Sequence, residues 1–165
     1  MRICIYGGTD LQGVPTKFVA ALAYEVLQSF EKGVIVTGGF LRSHGQPDAT
    51  STDAAALNGA RRYAKERNID LRECYQAWIP DPMLDSRPDV KGAVRMGPED
   101  GVTVRTMSGL TPLGRRLAMV ADVQMVVTIS GRQHTEVVVE QALELGVPVL
   151  PIPDAGGDSE ALLGK

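Results

Sequence analysis

Short apolar runs alternate with longer stretches of helical periodicity along most of this chain. Residues 2–6 form a β-rich run closed by Gly7-Gly8, which predicts a first strand and a turn. Pro15 opens a helical pattern in which Phe18, Leu22, Val26 and Phe30 recur at helical spacing, and Gly33 ends it. Val34-Ile35-Val36 is wholly apolar and is again followed by glycines, Gly38-Gly39. Continuous apolarity over so few residues suits a strand covered on both faces, as in a parallel sheet. Residues 40–50 are polar and rich in turn formers, so they read as a loop. A second helix is expected from about Asp53 to Arg67, its packed face marked by Ala54, Leu57, Ala60, Arg61 and Ala64.

Residues 69–74 alternate and read as a third strand. Residues 79–88 carry three prolines and read as irregular. Residues 92–107 alternate on either side of Gly97-Pro98-Glu99-Asp100-Gly101, which predicts a β-hairpin-like insertion. Thr111-Pro112 is an N-cap followed by proline at the first helical position, opening a helix to about Ala121. Residues 123–129 are the strongest strand signal. A loop follows at 130–134, then a helix over 135–145 ended by Gly146, and a last strand over 147–152. The order is β-α-β-α-β, an insertion, then α-β-α-β. That alternation predicts one α/β domain over residues 1–165: a Rossmann-like three-layer sandwich, its mostly parallel sheet flanked by helices on both faces. Ligands of such sheets bind in the crevice at the carboxyl ends of the strands, where this chain places its glycines.

The length of 165 residues is that of one domain, and the hydrophobic and charged fractions are those of a globular protein. A net charge of −3 and an aromatic content of 5% exclude a general nucleic-acid binder, which needs a basic face and stacking platforms. Cys4 and Cys74 are too few for a disulfide framework, and Cys4 reads as a small buried hydrophobe. No membrane-length apolar stretch or signal-peptide pattern is present, so a cytoplasmic location without a membrane partner is expected. His44 and His134 lie in loops, outside any ligand-spaced cluster, so neither a metal nor a resident cofactor is expected. Trp78 reads as a packing anchor beside the insertion.

Three strand ends carry the candidate chemistry: Gly7-Gly8-Thr9, Gly38-Gly39-Phe40 and Ser130-Gly131-Arg132-Gln133-His134-Thr135. Glycine lets backbone approach a ligand closely, and a helix N-terminus behind such a loop favours phosphate. One such loop alone reads as a tight turn; three at the expected sheet edge point to a binding cleft. Thr135 is placed to cap the helix that follows, and Arg132 to pair with a phosphate, stack on a base or stay solvated. Ser51, Thr52 or Asp53 can cap the second helix, and Asp53 has a second reading as an acceptor for a ribose hydroxyl. Arg115 and Arg116 stand early in a helix, where cations oppose the dipole; an anion, a carboxylate or solvent must receive them.

These loops, the segment 51–60 opening a helix, Arg115-Arg116 before Ala121-Asp122-Val123 and the Ser130-Gly131…Thr135 turn resemble the SLOG superfamily. That superfamily joins the DNA-processing protein A fold to the "Lonely guy" nucleoside-monophosphate hydrolases. The resemblance spans most of the chain except residues 79–107. The closing Pro148-Val149-Leu150-Pro151-Ile152-Pro153, with Gly156-Gly157-Asp158-Ser159, looks most like SLOG domains beside TIR or Sir2 effectors in bacterial antiphage defence. The resemblance implies a nucleotide-derived ligand, in the defence branch a cyclic ADP-ribose type signal. It also implies a homo-oligomer, dimer or tetramer, and an effector domain elsewhere in a longer chain. Carried over, Gly7, Gly8, Thr9, Gly38, Gly39 and Phe40 would face the ligand. Arg115 or Arg116 would be the basic contact, and Ser130, Gly131, Arg132 and Thr135 the phosphate turn.

The hydrolase branch carries Pro-Gly-Gly-x-Gly-Thr followed closely by a catalytic glutamate. Here the second and third glycines are replaced, and Val137 and Val138 stand where the glutamate pair is expected. Glu136 and Glu140 are near but out of register. The expectation is therefore a sensor domain for a nucleotide-like ligand. The alternative is a nucleoside 5′-monophosphate phosphoribohydrolase using Glu136 or Glu140.

Overall fold

Apolar runs bounded by glycine become strands, and the helices between them return the chain to the same sheet edge. A computed structural model describes residues 1–9, 11, 16–43, 50–85, 93–131, 134–152 and 159. In chain order the elements are β1 (Arg2–Gly7), α1 (Thr16–Ser29), β2 (Val34–Thr37), β3 (Phe40–Ser43), α2 (Thr52–Arg67) and β4 (Tyr75–Pro80). Then come β5 (Ala93–Arg95), β6 (Thr103–Met107), α3 (Pro112–Ala121), β7 (Met125–Ile129), α4 (Thr135–Glu144) and β8 (Val149–Ile152). The main sheet has six strands in the order β6-β4-β2-β1-β7-β8, and every neighbouring pair is parallel. This is the expected Rossmann-like three-layer α/β sandwich.

Alternation along each strand divides the core. Ile3, Ile5, Ile35, Tyr75, Ala77, Val127 and Ile129 pack with Val19, Ala23 and Leu27 of α1 and with Ala56, Leu57 and Ala60 of α2. Cys4, Val36, Trp78 and Val126 turn the other way, onto Met119 and Val120 of α3 and Val138 and Ala142 of α4. Period-two side-chain direction in doubly covered strands produces this division. Trp78 is the packing anchor the sequence predicts, with the Arg105 guanidinium 4.2 Å from its ring centre. The α1–α2 contact is close enough that a Cβ on Gly59 would lie 2.1 Å from the Ala20 carbonyl oxygen. Among the described residues, no helix is long and apolar enough to cross a membrane.

Several elements differ from expectation. The buried stripe of α1 is Val19, Ala23 and Leu27, one residue along from the predicted face, and Phe18 is exposed. Arg61 is exposed rather than on the packed face of α2. Residues 71–73 form a 3-10 turn, not a strand. A capping box holds it: Asp70 Oδ1 accepts from the Arg72 N–H at 2.9 Å, and Glu73 Oε1 from the Asp70 N–H at 3.3 Å. The strand begins only at Tyr75. The predicted hairpin over 92–107 does not pair with itself. Its two arms are strands, but β5 pairs antiparallel with β3, and β6 extends the main sheet beside β4. The edge of β4 gives β6 five residues in register, from Gln76↔Thr103 to Pro80↔Met107, more than the three-residue β5 can supply. The loop expected at 40–50 accordingly starts with strand β3.

Candidate functional site

From β1 the sheet grows outward through β2, β4 and β6, then returns through α3 to β7 on the other side of β1. The topological switch point lies between β1 and β7, where open α/β sheets bind ligands. The first and third glycine loops meet there. The Gly8 N–H donates to the Ile129 carbonyl at 3.2 Å, and a Cβ on Gly8 would lie 3.5 Å from Ser130 Oγ. Gly7 admits no side chain, because its Cβ would fall 2.2 Å from the Ile129 oxygen and 2.5 Å from Thr52 Oγ1. In the third loop, Ser130 has φ 57° and Gly131 φ 96°, both left-handed. Such a φ is strained for serine. The Ser159 hydroxyl and N–H both donate to the Ser130 carbonyl, at 2.7 and 3.1 Å, and hold this turn. Thr9 is exposed.

The start of α2 ties the first loop to the second. The Thr52 N–H and hydroxyl both donate to the Gly8 carbonyl, at 2.9 and 3.0 Å. Ser51 is the N-cap: its Oγ accepts from the Ala54 N–H at 2.9 Å and donates to the Phe40 carbonyl. Asp53 therefore does not cap the helix. Its Oδ2 accepts from the Phe40 N–H at 2.9 Å. Beneath it runs a directed relay. The Tyr75 hydroxyl donates to the Asp53 carbonyl at 2.9 Å, so it accepts from Thr37 Oγ1, which in turn accepts from the Gly39 N–H. Burial pushes the Asp53 carboxyl above its ordinary range, outweighing the Phe40 N–H and the pull of Arg115, Arg95 and Arg116.

The arginine pair is buried, not solvated: Arg115 is 3% and Arg116 9% exposed. The Arg115 guanidinium lies over the second loop, where a Cβ on Gly38 would meet its Nη1 at 2.6 Å. Its Nη1 reaches Met119 Sδ at 4.0 Å, and its Nε has no hydrogen-bond partner. Among the described residues Arg115 forms no ion pair. Burial, reinforced by Arg116 and Arg95, brings its pKa down to about 10. The Arg116 guanidinium stands 6.0 Å from the centre of the Tyr6 ring.

Arg95 is the site residue that sequence reasoning missed. It makes a bidentate pair with Asp85, donates to the Gly38 carbonyl at 3.3 Å and lies 5.3 Å from the centre of the Phe40 ring. No local pattern marks it, because it reaches the loop only through the β3–β5 pairing.

Thr135 differs from expectation. The N-cap position falls to His134, and Thr135 is the first helical residue. Its Oγ1 is buried without a partner among the described residues, 2.0 Å from where a Cβ on Gly131 would be. The Thr128 hydroxyl on β7 is likewise buried and unpartnered. Glu136 and Glu140 fall on the exposed side of α4, opposite Val138 and Ala142. Arg132, Gln133 and His44 lie outside the described residues. Among the described residues, no group of three or more His, Cys, Asp or Glu side chains converges as a metal site would require. The structure thus brings together Gly7, Gly8, Ser130, Gly131 and Thr135 at the switch point. Ser51, Asp53, Gly38, Gly39, Phe40 and Arg115 adjoin them through the start of α2. Chemically this is a set of adjoining loops that carries a buried guanidinium and buried hydroxyls without hydrogen-bond partners among the described residues.

Two solved structures share this architecture. The structural-genomics target TM1055 aligns at 16% identity over 99% of this chain and 81% of its own, with a TM-score of 0.68. The molybdenum cofactor binding protein from the phototrophic bacterium Rippkaea orientalis aligns at 20% identity over 99% and 82%, with a TM-score of 0.60. These likenesses establish the Rossmann-like fold. No family model matches the sequence, and no curated protein matches it.

Proposed function

We propose that this chain is a sensor domain whose switch-point cleft receives the phosphates of a nucleotide-derived signal, such as a cyclic ADP-ribose isomer or a related nucleotide. The observation that carries this reading is Arg115. A guanidinium buried to 3% exposure, with an unpartnered Nε and no ion pair among the described residues, lacks the counter-charge that normally offsets its desolvation. A phosphate in the cleft provides it, with the planar donor geometry that arginine matches best. The unpartnered Thr135 hydroxyl at the N-terminus of α4 adds a donor where the helix dipole favours an anion. The SLOG resemblance of the sequence accords with this ligand class and with a signal that changes how copies of the chain associate.

Binding without turnover is favoured because Glu136 and Glu140 occupy the exposed side of α4, and Asp53 is engaged by the Phe40 N–H. Isothermal calorimetry with AMP, ADP, ADP-ribose, cyclic ADP-ribose isomers and pyrophosphate tests the reading, with light scattering for the oligomeric state. Binding of at least one nucleotide is expected, with a change in association. No binding across the panel overturns the proposal. Release of ribose 5-phosphate from AMP, abolished by Glu140→Gln, would replace it with the phosphoribohydrolase.

A further inference from the structure

A carboxylate buried beside an anion site works against anion binding unless the ligand also brings a donor for it. Asp53 is such a carboxylate. It stands in the first turn of α2, 8% exposed, at the helix end that joins the Gly8 and Phe40 loops. Arg115, Arg95 and Arg116 all act on it electrostatically, yet Asp53 forms no ion pair with any of them. One oxygen, Oδ2, is taken by the Phe40 N–H. The other, Oδ1, has no hydrogen bond among the described residues. A core built only for stability would carry apolar side chains at both Asp53 and Arg115.

We infer that Asp53 is a specificity-determining residue: its Oδ1 accepts from the vicinal hydroxyls of a ribose whose phosphate is held by Arg115. The ligand class is then a ribonucleotide or sugar phosphate with a free diol, not a bare polyphosphate. This inference rests on the anion-binding reading above and deepens it. The carboxylate has a double effect. It rewards a hydroxyl donor with a charge-assisted hydrogen bond and penalises an anion that brings none.

The test compares ADP, 2′,3′-dideoxy-ADP and pyrophosphate by calorimetry on the wild-type chain and on Asp53→Asn. Asparagine keeps a carbonyl oxygen for the Phe40 N–H, and a cooperative melt verifies its fold. The wild type is expected to bind ADP about tenfold or more tighter than the dideoxy analogue, the factor a hydrogen bond to a charged group supplies. In Asp53→Asn that preference collapses, while pyrophosphate binds as well as before or better. The wild-type comparison stands even if the variant fails to fold. Equal wild-type affinity for ADP and its dideoxy analogue overturns the inference and leaves the anion site intact. Equal weakening of all three ligands in Asp53→Asn also overturns it, by assigning Asp53 to holding the Phe40 loop. Failure of the wild type to bind either ADP or pyrophosphate overturns it too, and the sensor reading is then decided by its own ligand panel.

Discussion

Replacing Arg115 by methionine should make the protein more stable and blind to the nucleotide proposed above. The guanidinium is 3% exposed, and burial with two neighbouring arginines brings its pKa down to about 10. That depression corresponds to roughly 3 kcal/mol by which the folded state disfavours the cation. The sign follows from the direction of the shift. The folded pKa lies below the unfolded one, so the penalty is fully present at every pH below about 10 and is relieved only above it. Methionine fills much of the same volume, keeps an apolar contact with Met119 and carries no charge. Comparable replacements of buried charges by apolar side chains gain about 1–4 kcal/mol. Part of the penalty is already offset by the field of Asp53, so a gain of roughly 1–3 kcal/mol is expected. At about 2–4 °C per kcal/mol for a domain of this size, the melting temperature should rise by roughly 2–12 °C. The same thermal melt reports binding, since a ligand at a hundred times its Kd stabilises the wild type by about 2.7 kcal/mol. Arg115→Met should show almost none of that shift with any nucleotide that stabilises the parent. A variant that melts lower by 1 kcal/mol or more would refute the reasoning, because it would show that the guanidinium is already satisfied by protein groups.

Thr135→Val removes a buried hydroxyl that has no partner, so stability should hold or rise by up to about 1 kcal/mol while nucleotide affinity falls about tenfold, both read by thermal shift with and without ligand. Gly131→Ala forces a Cβ onto a φ of 96° and against Thr135 Oγ1; it should cost about 1–3 kcal/mol in urea denaturation and abolish binding. Gly59→Ala drives a methyl into the Ala20 carbonyl and should destabilise the α1–α2 contact by about 2–3 kcal/mol, leaving ligand affinity per folded molecule unchanged. The raised carboxyl of Asp53 sets a pH dependence. Its folded pKa lies above the unfolded value near 3.8, so the penalty for burying the anion is present at neutral pH and lost as pH falls through the folded pKa. Asp53→Asn should therefore gain most over the parent at pH 7, and that advantage should shrink towards pH 4 in chemical denaturation curves.

The parallel sheet was legible because its strands are short apolar runs with glycine at their carboxyl ends, a local pattern that topology does not alter. The glycine loops were legible for the same reason. What depended on distant pairing was not. Residues 93–107 alternate as two strands should, but alternation does not name a partner, and the arms found β3 and β4 instead of each other. Arg95 owes its place above Gly38 to that pairing and had no local signature. Thr135 shows a different failure. Its position before an apolar helix has the composition of an N-cap, yet the cap is His134 and the Thr135 hydroxyl packs against Gly131. The arginine pair stands out in the sequence because cations early in a helix oppose its dipole. Its burial follows only from how α3 packs beside β4, with Gly38 making room.

The features of this cleft are individually unfavourable to a folded chain. Ser130 holds a left-handed φ, and among the described residues Thr128 and Thr135 bury unpartnered hydroxyls, Arg115 is desolvated without an ion pair, and Asp53 is a buried carboxylate that none of the nearby arginines closes upon. Charges do pair in the same chain: Asp85 with Arg95 beside the second loop, and the more exposed Asp122 with Arg2 and Arg105. Unresolved strain and charge concentrated at a topological switch point are expected of a surface shaped for something other than stability. A purely structural cluster would carry apolar side chains at Arg115 and Asp53. That both are buried without pairing to each other supports the ligand proposed above, anionic towards Arg115 and hydrogen-bond donating towards Asp53.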